Sequence, residues 1–337
     1  MEHRRREPAG GVFRLVLRLP WPGLDRVNAY ALTDEDGGAT LVDCGIYDPN
    51  PATDHGWPDL VAALATAGLV PEQISRLIVT HHHIDHYGMA GRVLAETGSA
   101  LWMHESTSEE IDYYRDPDGA RESLRHLLSD HGVEAADLEE LTAFEDWRGF
   151  VADLADPTRP LKGGETFTVG GREWEVVYTP GHARTHICLW ARAERLLISG
   201  DHLLPTVTPH IDFHRGPERD PLGAFLASLK KIEGLDPALV LPGHGHPFEE
   251  GAERARVIER HHDRRLGSIL QVIRREPHTA DEITEDIFSG SLLHFQKRLA
   301  LGEVLAHIAY LVNRGEIERI ERDDGSRAYV KTPRRTE

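Results

Sequence analysis

The run Thr80-His81-His82-His83-Ile84-Asp85-His86 constrains this chain more than any other feature. Four imidazoles and a carboxylate fall within six residues, directly behind the apolar stretch Arg76–Thr80 (RLIVT), which reads as a buried strand. Their side chains therefore project from the end of a sheet, where α/β folds place ligand sites. Holding these groups together is costly unless a cation is present, and neutral imidazole and carboxylate are donors that zinc accepts. A solvated His-rich turn would account for the run alone. It would not account for three further segments, Pro180-Gly181-His182, Ser199-Gly200-Asp201 and Pro242-Gly243-His244-Gly245. Each closes or follows a predicted strand, and each carries Gly, which lets backbone approach a site closely. The chain has 21 histidines, and they cluster, with four in His81–His86 and two in His244–His246.

The elements around these segments alternate in type. Phe13, Leu15, Leu17 and Leu19 alternate with Arg14, Val16, Arg18 and Pro20, the pattern of a half-buried strand. Asn28–Leu32 and Ala39–Val42 flank the acidic, Gly-containing turn Asp34–Gly38 and read as a hairpin. Asp59–Ala67 and Gly88–Thr97 read as helices, and Ala100–Met103 as a strand. Ser106–Asp156 is strongly charged with helical spacing, which predicts two or three helices inserted over one edge of the sheet. Thr166–Tyr178 reads as a hairpin about Gly170-Gly171. Ile187–Trp190, Leu196–Ser199 and Ala238–Leu241 read as strands, with a helix at Pro221–Ile232. This alternation argues for α/β layers.

Beyond residue 250 the pattern changes. Ala252–Arg275 predicts a long charged helix, and Thr279–Phe288 a short one capped by Thr279. Leu301, Val304, Leu305, Ile308 and Leu311 form a helical stripe that Gly315 ends. Ile317–Ile320 and Ala328–Lys331 bracket Asp323-Asp324-Gly325 as a β-hairpin. Two helices and a wing predict a winged helix. The length of 337 residues fits two domains, placed at 1–250, with the helical insertion about 104–156, and at 251–337.

Composition removes several classes. Cys44 and Cys188 are the only cysteines, so a disulfide scaffold and a Cys-rich zinc module are excluded. No apolar run approaches the roughly 20 residues of a spanning helix, so a membrane role is not expected. The basic stretch Met1–Gly10 lacks a following apolar core, which predicts a cytoplasmic protein. The net charge of −18 weighs against nucleic acid as a partner without excluding it. The charge is uneven, with −19 before residue 251 and +1 from there on.

His81-x-His83-x-Asp85-His86, followed by His182, Asp201 and His244, resembles the metallo-β-lactamase superfamily over Val12 to about Phe248. The added C-terminal domain, with Ser199–Pro209 and His262–Gln271, resembles the lactamase-β-2-like subset. The resemblance implies an αββα sandwich with the site at one rim, followed by the winged helix. It implies two zinc ions, with iron or manganese as substitutes. His81, His83 and His182 would hold the first ion, Asp85, His86 and His244 the second, and Asp201 would bridge them. It also implies a metal-bridged hydroxide as nucleophile, with Asp85 helping to move the proton. No G-x-S-x-G elbow, Walker loop or G-x-G-x-x-G offers an alternative. Tyr87, His202, His210 and His214 are candidates for lining a substrate pocket, and Arg184 and Arg215 for meeting an anionic substrate. Asp43 resembles the superfamily's strand-end Asp and is expected to support the site, as His186 is by packing beside it.

The expected function is therefore a dinuclear zinc hydrolase of a small ester, thioester or lactone. The first alternative is a metal-dependent endoribonuclease on single-stranded RNA. The winged helix favours it, and the interleaved acids and bases of Arg314–Arg327 oppose it. The second is an iron-dependent sulfur dioxygenase, which the complete second ligand group disfavours. A small acyl compound is the expected partner, and the amphipathic helices point to a homodimer.

Overall fold

The computed structural model describes residues 6–21, 23–50, 55–143, 147–213, 219–288, 290 and 292–333. Contacts divide the chain into two compact units. The first comprises residues up to Arg115, Trp147–Pro209 and Ser228–Ala255; the second comprises Asp116–Asp146, His210–Ala227 and Arg256 onward. The second unit thus gathers most of the charged helical segment with the C-terminal region, and the chain leaves the first unit for the last time after Ala255.

Among the described residues, the first unit holds two six-stranded sheets. One runs in the order β1 (Val12–Trp21), β2 (Leu24–Thr33), β3 (Ala39–Val42), β4 (Ile74–Ile78), β5 (Ala100–His104), β6 (Arg159–Leu161). Its first three strands are antiparallel and the rest parallel. The other contains β7 (Thr166–Val169), β8 (Arg172–Tyr178), β9 (Ile187–Ala191), β10 (Leu196–Gly200), β11 (Leu239–Pro242) and β12 (Phe248–Glu249), in reverse order across the sheet. Strands β10 and β11 are parallel, and β8 runs with them because both it and β10 are antiparallel to β9. The carboxyl ends of β3 and β4 thus share one edge of the first sheet, and those of β8, β10 and β11 one edge of the second.

Alternation along the strands builds two cores. Leu15, Leu17 and Leu19 of β1, with Val27, Ala29 and Ala31 of β2, pack with Leu60 and Leu64 of α1 (Trp57–Thr66). On the other face, Tyr30, Leu32, Val42 and Ile78 meet Trp174, Val176, Leu189 and Ile198 from the second sheet. Each such side chain, fully buried, contributes roughly 1.5–3 kcal/mol. The sheets therefore pack face to face, with helices over the outer face of the first.

Strand β4 ends three residues before His81, and the expected helix Gly88–Thr97 is α3 (Ala90–Thr97), preceded by a separate short helix, α2 (Ile84–Tyr87), inside the histidine run. The charged segment forms α4 (Thr107–Arg115), α5 (Pro117–Asp130) and α6 (Ala135–Thr142). Strands β6, β12 and β13 (His278–Thr279) have two or three residues each, too few to show a period in sequence.

In the second unit, α7 (Pro221–Leu235) contributes its first residues and α8 (Gly251–Val272) all but its first five. There follow β13, α9 (Ala280–Ile287), α10 (His294–Asn313), β14 (Ile317–Glu321) and β15 (Arg327–Lys331). The small sheet runs β13-β15-β14. Thr279 caps α9 as expected: its hydroxyl accepts from Glu282 N at 3.2 Å and Glu282 Oε2 accepts from Thr279 N at 2.8 Å. No helix among the described residues is long and apolar enough to cross a membrane.

Candidate metal centre

The strand ends deliver the expected residues to one place. His81, His83 and His182 offer nitrogens that all lie within 4.8 Å of one another, as do the ligand atoms of Asp85, His86 and His244 and those of His81, His86 and Asp201. His81 Nε2 is 3.1 Å from His83 Nδ1 and 3.3 Å from His182 Nε2. Donors bound about 2.0–2.1 Å from a tetrahedral ion lie roughly 3.3–3.4 Å apart, so these separations fit a shared cation. His244 Nε2 is 3.1 Å from Asp85 Oδ2, and His86 Nε2 is 3.8 Å from the same oxygen.

Asp201 stands between the two groups. Its Oδ1 is 3.3 Å from His86 Nε2, and its Oδ2 is 3.4 Å from His244 Nε2 and 3.8 Å from His182 Nε2. His86 Nε2 and Asp201 Oδ1 are buried and make no hydrogen bond of acceptable geometry among the described residues. Buried polar atoms are rarely left so, and a cation would satisfy both.

The outer nitrogens fix which atoms face inward. His86 Nδ1 donates to Asp43 Oδ2 at 2.8 Å. His81 Nδ1 donates to Thr80 Oγ1 at 3.0 Å, whose hydroxyl donates to Asp43 Oδ2 at 2.9 Å. Thr80 N donates to Asp43 Oδ1 at 2.7 Å. His244 Nδ1 donates to Arg26 O at 2.8 Å. Each of these rings thus turns a bare Nε2 to the centre, the arrangement that orients metal-ligating histidines. Asp43 takes the left-handed conformation, φ 60°, which Asp tolerates better than most residues.

His186 is fully buried and holds the backbone of Asp201: its Nε2 accepts from Asp201 N at 3.2 Å, while Nδ1 donates to Thr179 Oγ1 at 2.8 Å. Gly200, at φ 46°, leaves this contact room, since a Cβ there would sit 2.8 Å from both His186 Nε2 and Thr80 Oγ1.

The electrostatics differ between the groups. Burial, then the neighbouring imidazoles, push His81 and His83 well below the usual histidine range, keeping them neutral. Burial opposes protonation of His86 and His244 too, but carboxylates outweigh it. Asp201, Asp85 and Asp43 raise His86 well above its ordinary value, and Asp201 and Asp85 lift His244 to about 10. Despite burial, His244 and His86 hold Asp201 well below the usual carboxylate range. Protons here answer a field of three carboxylates that a dication would answer better, and metal binding would release them.

The remaining sequence candidates fall elsewhere. Tyr87 does not line a pocket: it is fully buried, and its hydroxyl donates to Ala155 O at 2.8 Å and accepts from Ala155 N at 2.7 Å. His202 is fully buried too, and burial pushes it down to about 3, so it is a neutral core residue beside His186. His210 belongs to the second unit, where it helps hold Glu303 ionised. His214 and Arg215 lie outside the described residues. Arg184 is engaged by Glu109 and Glu110, both at 2.6 Å, so its charge is already answered. Asn28 was not singled out by its sequence, although one amide in the apolar stretch Asn28–Leu32 was a signal. It is buried against the loop that carries His244.

Residues 22–244 match the family described as the metallo-beta-lactamase superfamily. The chain belongs to that superfamily. Residues 266–332 match its C-terminal domain, described as metallo-beta-lactamase-like. The chain is similar to a metallo-beta-lactamase family protein of Thermus thermophilus, with 30% identity, a TM-score of 0.80, and 96% of this chain and 99% of that one covered. A beta-lactamase domain protein of Burkholderia ambifaria gives 31% identity and a TM-score of 0.81, covering 96% of this chain and 93% of that one. "Probable metallo-hydrolase YqjP" of Bacillus subtilis (strain 168) is 24% identical, covering 95% of this chain and 98% of its own. The chain is thus a metal-dependent hydrolase of this superfamily, and its His/Asp clusters support a binuclear metal site.

Proposed function

We propose that this chain is a dinuclear zinc hydrolase of small esters, thioesters or lactones. The observation that carries the reading is the position of Asp201, whose two oxygens face ligand nitrogens of both groups. In this reading His81, His83 and His182 hold one ion, Asp85, His86 and His244 the other, and Asp201 both. When bound, two such ions supply a water acidic enough to ionise near neutral pH and a Lewis acid for the carbonyl. The residues around them do the rest. Asp43 and Thr80 keep His86 and His81 in the tautomer with Nε2 free. His186 holds the Asp201 backbone. Asp85, held below its ordinary pKa despite burial by His86 and His244, is ionised, the form in which a carboxylate binds a metal ion.

The second unit supports a winged-helix reading through its order of short strand, helix, helix and hairpin. On β14 the exposed Glu318, Arg319 and Glu321 mix charges, which weighs against a phosphate track. A cytoplasmic location and a homodimer complete the proposal.

The test is elemental analysis of the purified protein, with turnover measured on a thioester, a lactone and a short single-stranded RNA. About two zinc ions per chain with thioester or lactone turnover is the expected result. One iron per chain with oxygen consumption on a persulfide overturns it. RNA cleavage alone transfers the site to the nuclease reading.

A further inference from the structure

The loop Pro242–His246 carries His244 and is fastened to the first sheet by side chains that the hydrolytic reading does not use. Asn28, only 1% exposed, donates from Nδ2 to Pro242 O at 2.8 Å and to Gly245 O at 2.9 Å. Its amide therefore grips the backbone on both sides of His244. Its Oδ1 accepts from Arg14 Nε at 2.8 Å, and its backbone N donates to Gly243 O at 2.7 Å. The amide orientation is unambiguous, because guanidinium only donates and carbonyls only accept. Tyr30, fully buried, donates its hydroxyl to Pro242 O at 2.8 Å. Arg14 adds a bond from Nη2 to Gly245 O at 2.8 Å and a contact from Nη1 to His246 Nδ1 at 3.1 Å.

We propose that Asn28 and Tyr30 are positioning residues for the second metal subsite, acting through the backbone that places His244. The inference rests on the dinuclear reading above. Its physical basis is the asymmetry between the ligand groups. The residues of the first group are not on this loop, whereas His244 sits on a two-residue bridge between carbonyls that Asn28 holds. On the side away from the carboxylates its ring is held by the bond from Nδ1 to Arg26 O. Residues that orient metal ligands in this indirect way change affinity by about 10–100-fold when altered. Asn28→Asp keeps the shape but sets an oxygen against two carbonyl oxygens. Tyr30→Phe removes one hydroxyl and is the milder probe if Asn28→Asp fails to fold.

The experiment is a zinc titration of metal-free wild-type, Asn28→Asp and Tyr30→Phe proteins against a competing chelator. It resolves two binding steps, with melting of each metal-free protein measured in parallel. The expected result is a first step at wild-type affinity in both variants. The second step weakens by at least about 10-fold in Asn28→Asp and by less, in the same direction, in Tyr30→Phe. Equal weakening of both steps, tracking a fall in metal-free melting temperature, means a merely structural role and overturns the proposal. Wild-type affinity at both steps in every folded variant also overturns it. A wild-type protein that takes one ion overturns the dinuclear reading first, and this inference with it; the wild-type titration alone tells the two failures apart.

Discussion

Asp43 Oδ2 accepts from His86 Nδ1 at 2.8 Å, and the same carboxylate takes both the backbone N–H and the hydroxyl of Thr80. One side chain thereby orients His86 directly and His81 through Thr80, across 43 residues of chain. Asp43→Asn retains a side chain that tolerates the left-handed backbone. It loses the charge that His86 Nδ1–H faces and one of the acceptor oxygens. Metal affinity should fall by about 10–100-fold, while the metal-free protein keeps its fold. Chelator competition measures the first effect and circular dichroism the second. Unchanged affinity would show that His86 needs no orienting partner.

His83→Ala and Asp201→Ala test the ligands themselves. Both should abolish turnover and lower the metal content from about two ions per chain toward one. Asp201→Ala is the sharper variant, because Asp201 faces both groups. Full activity in that protein would sink the dinuclear mechanism.

The candidate ligand set was legible in the sequence because its chemistry is local. His81, His83, Asp85 and His86 lie within one strand-end run, and His182, Asp201 and His244 each follow a strand beside a glycine. The supporting residues were harder to read, because their partners are remote. Asn28 meets Pro242, 214 residues away, and no period in β2 marks an amide bound for another loop. Asp43 was expected to support the site, but the bond to His86 exists only once β3 and α2 are packed. Tyr87 directly follows the ligand run, yet the short turn of α2 carries it inward to Ala155, so adjacency in sequence misled. His202 beside Asp201 failed for the same reason. Alternation along β1 and the apolar runs marked the strands and the α/β layering, and the pairing of two sheets came only with the family resemblance, whereas the edge strands β6, β12 and β13 offered no pattern.

Gly243 tests close approach. Its φ is not in the left-handed region, so an alanine there meets no backbone strain. A Cβ at this position would nevertheless overlap Asp201 Oδ1 and lie 2.7 Å from His86 Cε1. Gly243→Ala should therefore disturb the centre more than the fold. The expected outcome is loss of at least one ion per chain by elemental analysis, with the metal-free melting temperature lowered by only a few degrees. An unchanged metal content would mean that the His244 loop can retreat without cost, contrary to the grip of Asn28 and Tyr30.

The second unit supplies a prediction about acid stability. His262 Nδ1 lies 3.1 Å from His307 Nε2, and His307 Nδ1 donates to Glu303 O at 2.7 Å. Glu303, His261 and Arg265 face the pair. Burial first, then the partner imidazole, pushes His262 down to about 3; burial pushes His307 down to about 4. Both folded values lie below the roughly 6.5 of an unfolded chain, so the unfolded state binds more protons in between. Their stabilisation is complete above about pH 6.5 and is lost as pH falls toward 4 and then 3, at up to about 1.4 kcal/mol per group per pH unit. Glu303, held down to about 2 despite burial by His261, His307 and Arg265, loses its own contribution only below the ordinary carboxylate range. The interval from about pH 6.5 to 4.5 therefore isolates the histidines. Other buried histidines held below the ordinary range add to the same loss, so the quantity to measure is a difference. Urea unfolding of the wild type and of the double variant His262→Leu, His307→Leu should give a steeper loss of stability with acid in the wild type. Parallel slopes for the two proteins across that interval would show that the pair does not carry the acid sensitivity.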